Sequence, residues 1–148
     1  MRHESYANTI ESNDDLSRFE FVSTGEKGAI RKRIEFRPSN IEDVYELGFG
    51  DVMPDNETVD DTVVSDNGDR DKVLATVIRA LILFTTRYPD RWVHFQGSTN
   101  SRTRLYRMVI TQRYKELNSI FDIYGLQEDK VIPFVKGAPF SAFLFKKK

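Results

Sequence analysis

The sequence predicts an α+β fold: a mainly antiparallel, twisted sheet with two principal helices packed on it. Three observations predict it. The first half alternates apolar and polar residues in short runs separated by glycine- and proline-marked breaks, the pattern of hairpin strands. Residues 70–86 carry a broad apolar girdle at helical spacing, as in a helix buried against a sheet. Beyond them, strand-like and helix-like runs alternate. A chain of 148 residues suits one domain able to bury a real core.

Residues 1–16 are polar and aperiodic, which reads as a loosely attached arm before a domain of residues 17–145. Residues 18–23 alternate and form a strand; residues 24–28 hold Gly25 and Gly28 and turn the chain. Residues 29–36 return as a second strand with Ile30, Ile34 and Phe36 on one face, so the pair is a hairpin. Pro38 breaks the pattern, residues 44–50 form a third strand, and Val63-Val64 marks a short fourth. The long helix follows, with Asp69 as its N-cap and Asp71 at the positive end of its dipole. Tyr88-Pro89 ends it. Residues 91–96 are a strand, residues 97–100 a tight turn, and residues 101–114 a second helix. Residues 120–124 and 142–145 supply the last strands, and residues 146–148, all lysine, a frayed basic tail.

Composition excludes several chemistries. No cysteine is present, which removes disulfides, thiolate metal sites and a thiol nucleophile. The two histidines, His3 and His94, cannot make a His-rich metal centre. Asp51, Asp55 and Asp60-Asp61 lack the spacing of a calcium loop, so no metal is expected. His94, between Val93 and Phe95, reads as a packed strand residue rather than a base. Neither a phosphate-binding P-loop, a dinucleotide glycine fingerprint nor a Ser/His/Asp arrangement occurs. No apolar run approaches the ~20 residues of a membrane span, and the N-terminus lacks the apolar stretch of a signal peptide. The expected location is the cytoplasm, with no membrane partner.

The formal net charge of -1 conceals two poles. Residues 38–71 hold eleven acids against one base, whereas residues 72–115 hold nine bases, seven of them arginine, against one acid. Arginine's planar fork suits carboxylates and phosphates. Within the basic stretch, Gly97, Ser98, Thr99, Arg102, Arg104 and Tyr106 lie where a strand turns into a helix. A helix start exposes unpaired N–H groups and a positive partial charge, and so attracts anions. Gly97 would admit close approach, Ser98 and Thr99 would donate hydroxyls, and Arg102 and Arg104 would meet the charge. Two plainer accounts stand beside this: Thr99 or Asn100 merely caps the helix, or the arginines pair with the acidic segment. Tyr106 reads as core, and is the one weak candidate for a proton donor. The other helix start offers Asn67, Gly68 and Lys72, but Asp66, Asp69 and Asp71 repel an anion there. Arg107 extends the basic face, and Arg104 and Arg107 together could bridge phosphates.

The run from Gly68-Asp69 through Val73-Leu74-Ala75-Thr76-Val77, Tyr88-Pro89, Phe95-Gln96-Gly97-Ser98-Thr99 and Arg102-Thr103-Arg104-Leu105-Tyr106 is similar to a small bacterial family without an assigned activity, over about residues 17–125. Gly68 and the Leu105-Tyr106 pair also resemble parts of the GCN5-related acetyltransferases. That resemblance implies an acyl-CoA N-acyltransferase-like topology, acyl-CoA as cofactor and Tyr106 protonating a departing thiolate. The acetyltransferase loop is otherwise absent, with Arg70 at its second small position. The expected function is a non-catalytic module that binds an anionic small molecule or an acidic protein. An acyl-CoA-binding enzyme and a nucleic-acid-binding protein are the alternatives.

Overall fold

The computed structural model describes residues 5–55, 57, 59–60 and 68–148. Among these the class is α+β, with mostly antiparallel strands and three helices. The expected strand at Val63-Val64 and the candidate Asn67 lie outside the described residues. The chain divides into two compact units, Met1–Arg37 with Gly48–Phe84, and Pro38–Leu47 with Thr85–Lys148.

In the first unit, β1 (Glu11–Ser12), β2 (Arg18–Gly25), β3 (Gly28–Pro38) and β4 (Val44–Val52) are successive neighbours, and β5 (Val59–Asp60) pairs with β4. The β2–β3 hairpin is antiparallel, with Phe19 opposite Ile34, Phe21 opposite Lys32 and Gly25 opposite Gly28. The pleat puts Phe19, Phe21, Ile34 and Phe36 on one buried face. Onto it packs α1 (Arg70–Arg87), where Phe36 and Phe84 stack with ring centroids 4.2 Å apart and planes at 2°. The helix ends within a residue of its expected bounds because its girdle, Val73, Leu74, Val77, Ala80, Leu81 and Phe84, is buried almost all round. In the stretch read from sequence as an arm, Tyr6 is buried and stacks on Phe21 at 5.3 Å, and β1 pairs with β2.

In the second unit the order is β4, β6 (Trp92–Phe95), β9 (Ala142–Lys147), β7 (Phe121–Gln127) and β8 (Lys130–Pro133). Val44–Leu47 of β4 runs parallel to Trp92–Phe95; the other pairings in this unit are antiparallel. Two of the three terminal lysines are therefore strand residues. Val93, Phe121, Phe143 and Phe145 are essentially inaccessible. They form a core with residues of α2 (Asn100–Gln112) and α3 (Tyr114–Ile120), and with Phe134 and Phe140. The expected second helix is thus two: α2 stops at Gln112, and α3 follows after Arg113.

Candidate functional site

The expected site begins where β6 ends. Thr99 is the N-cap of α2, and its side chain accepts the Arg102 backbone N–H at 3.2 Å. Its carbonyl accepts from the Thr103 backbone N–H at 3.0 Å and from the Thr103 hydroxyl at 3.1 Å. Capping therefore uses the amides of Arg102 and Thr103, and those of Asn100 and Ser101 lead the helix. Gly97 is where the chain passes closest to that helix: a Cβ there would lie 2.5 Å from the Thr103 backbone nitrogen and 2.8 Å from its Oγ1. The glycine lets strand and helix backbones touch.

The candidate side chains do not gather at one point. A helix advances ~100° per residue, so Arg102 and Arg104, two positions apart, stand on opposite flanks. Thr103, Tyr106 and Ile110 form the buried side of α2. Tyr106 is 6% exposed and stacks on Phe95 with centroids 4.4 Å apart, the geometry of a core residue. Arg102 is half-buried and Arg104 is exposed. Arg104 and Arg107, three positions apart, do share a flank. Arg107 reaches the Ala138 carbonyl at 3.4 Å. Among the described residues neither Arg104 nor Arg107 forms an ion pair, and the helix has no acid of its own.

At the other helix start, Gly68 is exposed with φ 79°. Lys72 places its ammonium 4.2 Å from the centroid of the Tyr6 ring. The neighbouring groups form a polar knot that the sequence did not reveal. Tyr6 and Ser23 both donate their hydroxyls to Asp69 Oδ2, each at 2.5 Å, and the Tyr6 oxygen accepts the Thr24 backbone N–H at 3.0 Å. Tyr6 also donates its backbone N–H to Thr76 Oγ1 at 2.7 Å. Ser23 and Thr76 are fully buried, so this knot fastens the N-terminal segment to α1 rather than offering a nucleophile.

Two further ion pairs were missed. Lys32 contacts Asp51 at 2.5 Å with side chains 7% and 15% exposed. Arg33, its side chain 4% exposed, meets Glu20 through both Nε and Nη2 at 2.8 Å and donates to the Glu57 carbonyl at 2.9 Å. A signal was available for Lys32: it occupies the same parity as Ile30, Ile34 and Phe36, a charge in the middle of an apolar face.

Burial tends to raise the Glu20 carboxyl, but hydrogen bonds and charge from Arg31 and Arg33 outweigh it and hold the group below its ordinary value of 4.5. A lowered folded value means that this stabilisation is complete above the unfolded value and is lost as pH falls through the folded one. Urea denaturation is therefore expected to show stability falling below about pH 4, and Glu20→Gln should flatten that part of the profile.

Among the described residues no group of three or more His, Asp or Glu could hold a metal ion, and no helix is long and apolar enough to cross a membrane. No curated protein and no solved structure matches the chain, so the acetyltransferase resemblance draws no support from comparison. One family does match, over residues 2–148, and its extent settles the relationship: the chain belongs to the family of unknown function DUF6934.

Proposed function

We propose that the chain is a binding module, without catalysis, that takes an anionic ligand or an acidic partner on the basic flank of α2. The observation that carries this is the state of Arg104 and Arg107. They are helical neighbours on an acid-free helix, and neither has a carboxylate partner among the described residues. Acids of the 38–71 segment with described partners bind elsewhere, Asp51 to Lys32 and Asp69 to Tyr6 and Ser23. Two guanidinium forks on one flank suit a doubly charged or bidentate anion. Ser98 and the leading amides of α2 lie at its N-terminal end, about one turn before Arg104.

Thermal-shift and calorimetric titrations with inorganic phosphate, nucleotides, CoA and an acidic peptide test this. A saturable response that Arg104→Ala with Arg107→Ala weakens by at least about tenfold is expected, since a charge-assisted hydrogen bond contributes ~1.5–3 kcal/mol. Arg104→Ala alone should leave the unfolding midpoint almost unchanged, because an exposed site costs ~0.5 kcal/mol or less, whereas Arg107→Ala also removes the half-buried bond to the Ala138 carbonyl, ~0.5–1.5 kcal/mol. No response to any of the anions would remove the proposal.

A further inference from the structure

In the second unit the two faces of the sheet differ: one carries α2, the other half-buried apolar side chains. Tyr106 of α2 stacks on Phe95, and Phe134 and Phe140 pack on Phe143, all on one side of the β6-β9-β7 strands. The register of these strands puts Trp92, His94, Leu144, Tyr124, Leu126 and Val131 on the opposite side. An antiparallel sheet with one solvated face ordinarily turns polar residues outward. The first unit does so: on the side of β2–β3 away from Phe19 and Ile34, Glu20, Arg31, Arg33, Glu35 and Arg37 form a ladder of ion pairs. The β6-β9-β7 face instead carries aromatic and aliphatic groups.

Its charges indicate what covers it. Lys146 stands opposite Asp122 in the β7–β9 register, yet no ion pair joins them; its ammonium bonds the Pro89 carbonyl at 3.2 Å and lies 5.9 Å from the Trp92 ring centroid. Asp122 and Glu46, both exposed on this side, form no ion pair among the described residues. A polyanion would meet these two acids. A base stacking on Trp92 would compete with Lys146, and the Trp92 and Tyr124 rings, tilted by 50° at 5.6 Å, give no common platform. A face holding an apolar centre and both signs of charge is complementary to itself.

We propose that this face is a homodimer interface, occupied by the same face of a second copy of the chain. Two such sheets pack with an interlayer of ~10 Å. A twofold axis parallel to the strands and midway between β9 and β7 preserves strand level and sets Lys146 of each copy opposite Asp122 of the other. Isologous contact of this kind closes at two copies and leaves α2, on the other side of the strands, free in each.

Light scattering on the eluting protein tests the proposal, with the emission of Trp92, the chain's single tryptophan, as a second readout. The expected mass is twice 17.2 kDa, and dilution should red-shift Trp92 as its face becomes wet. Leu144→Glu and Val131→Glu should each raise the dissociation constant by about tenfold or more with unchanged far-ultraviolet dichroism. Val131 is already 55% exposed, so its substitution does not threaten the fold; should Leu144→Glu unfold, Val131→Glu and wild-type dilution decide. A monomer at every concentration overturns the proposal, as does a dimer that a folded face variant leaves intact. A monomer whose Trp92 emission is quenched by a single-stranded oligonucleotide assigns the face to nucleic acid and overturns it equally. Arg104→Ala should leave the dimer unchanged, so the anion site can fail without this interface failing.

Discussion

Asp51→Ala is expected to lower stability by about 3–5 kcal/mol, measured as the urea unfolding free energy at neutral pH. Lys32 lies on the core face of β3, opposite Phe21 and 6% exposed, with its ammonium 2.5 Å from Asp51 and 5.9 Å from the Phe49 ring centroid. Taking a charge out of water costs several kcal/mol, and the facing carboxylate offsets that cost. Without the carboxylate the ammonium stays buried beside the Phe49 ring, whose pull is weaker than a carboxylate's. The asymmetry supplies the control. Replacing both partners by apolar residues, as in Lys32→Met with Asp51→Leu, should recover most of the loss, because a buried pair is worth little against well-packed side chains. A loss below about 1 kcal/mol for Asp51→Ala would show instead that the flexible lysine stem carries its head out to solvent.

That pair also shows how local signals fail. The β2–β3 hairpin is legible because its apolar residues keep a period of two, and α1 because seven apolar positions keep a helical one. The strand, turn and helix around Gly97 are legible for the same reason. The elements that escaped carry too little pattern to register. In α3 only Leu117 of seven residues is buried, β8 is an edge strand of four mostly exposed residues ending in Pro133, and β1 is two polar residues. Tyr6 sits in a polar run with no period, and its partners Asp69 and Thr76 are more than sixty residues away, so its anchoring belongs to tertiary structure alone. The site was legible only as a list of residue types. Spacing within α2 already implies that Arg102 and Arg104 diverge while Arg104 and Arg107 converge, and Tyr106 reads as core, but its stacking on Phe95 in particular belongs to tertiary packing.

Gly97→Ala is expected to destabilise by about 2–3 kcal/mol, as overpacking in a closed contact does, and to loosen the first turn of α2. The sign is the informative part. Gly97 does not occupy the left-handed region, and at such a position alanine usually stabilises by ~0.4–1 kcal/mol by restricting the unfolded chain. Here the added methyl meets the Thr103 backbone nitrogen at 2.5 Å and its Oγ1 at 2.8 Å. A side-chain obstacle could rotate away, whereas the backbone obstacle can yield only by shifting the helix start off its Thr99 cap. Adding Thr103→Ala therefore should not rescue Gly97→Ala, which separates the two obstacles in a denaturation series. Hydrogen exchange should quicken at the Arg102 and Thr103 amides, whose acceptors on Thr99 define the cap. Because Arg104 and Arg107 ride on this helix, the same substitution is expected to weaken anion binding without touching either guanidinium. The strand-to-helix contact at Gly97 thereby sets the position of the basic flank.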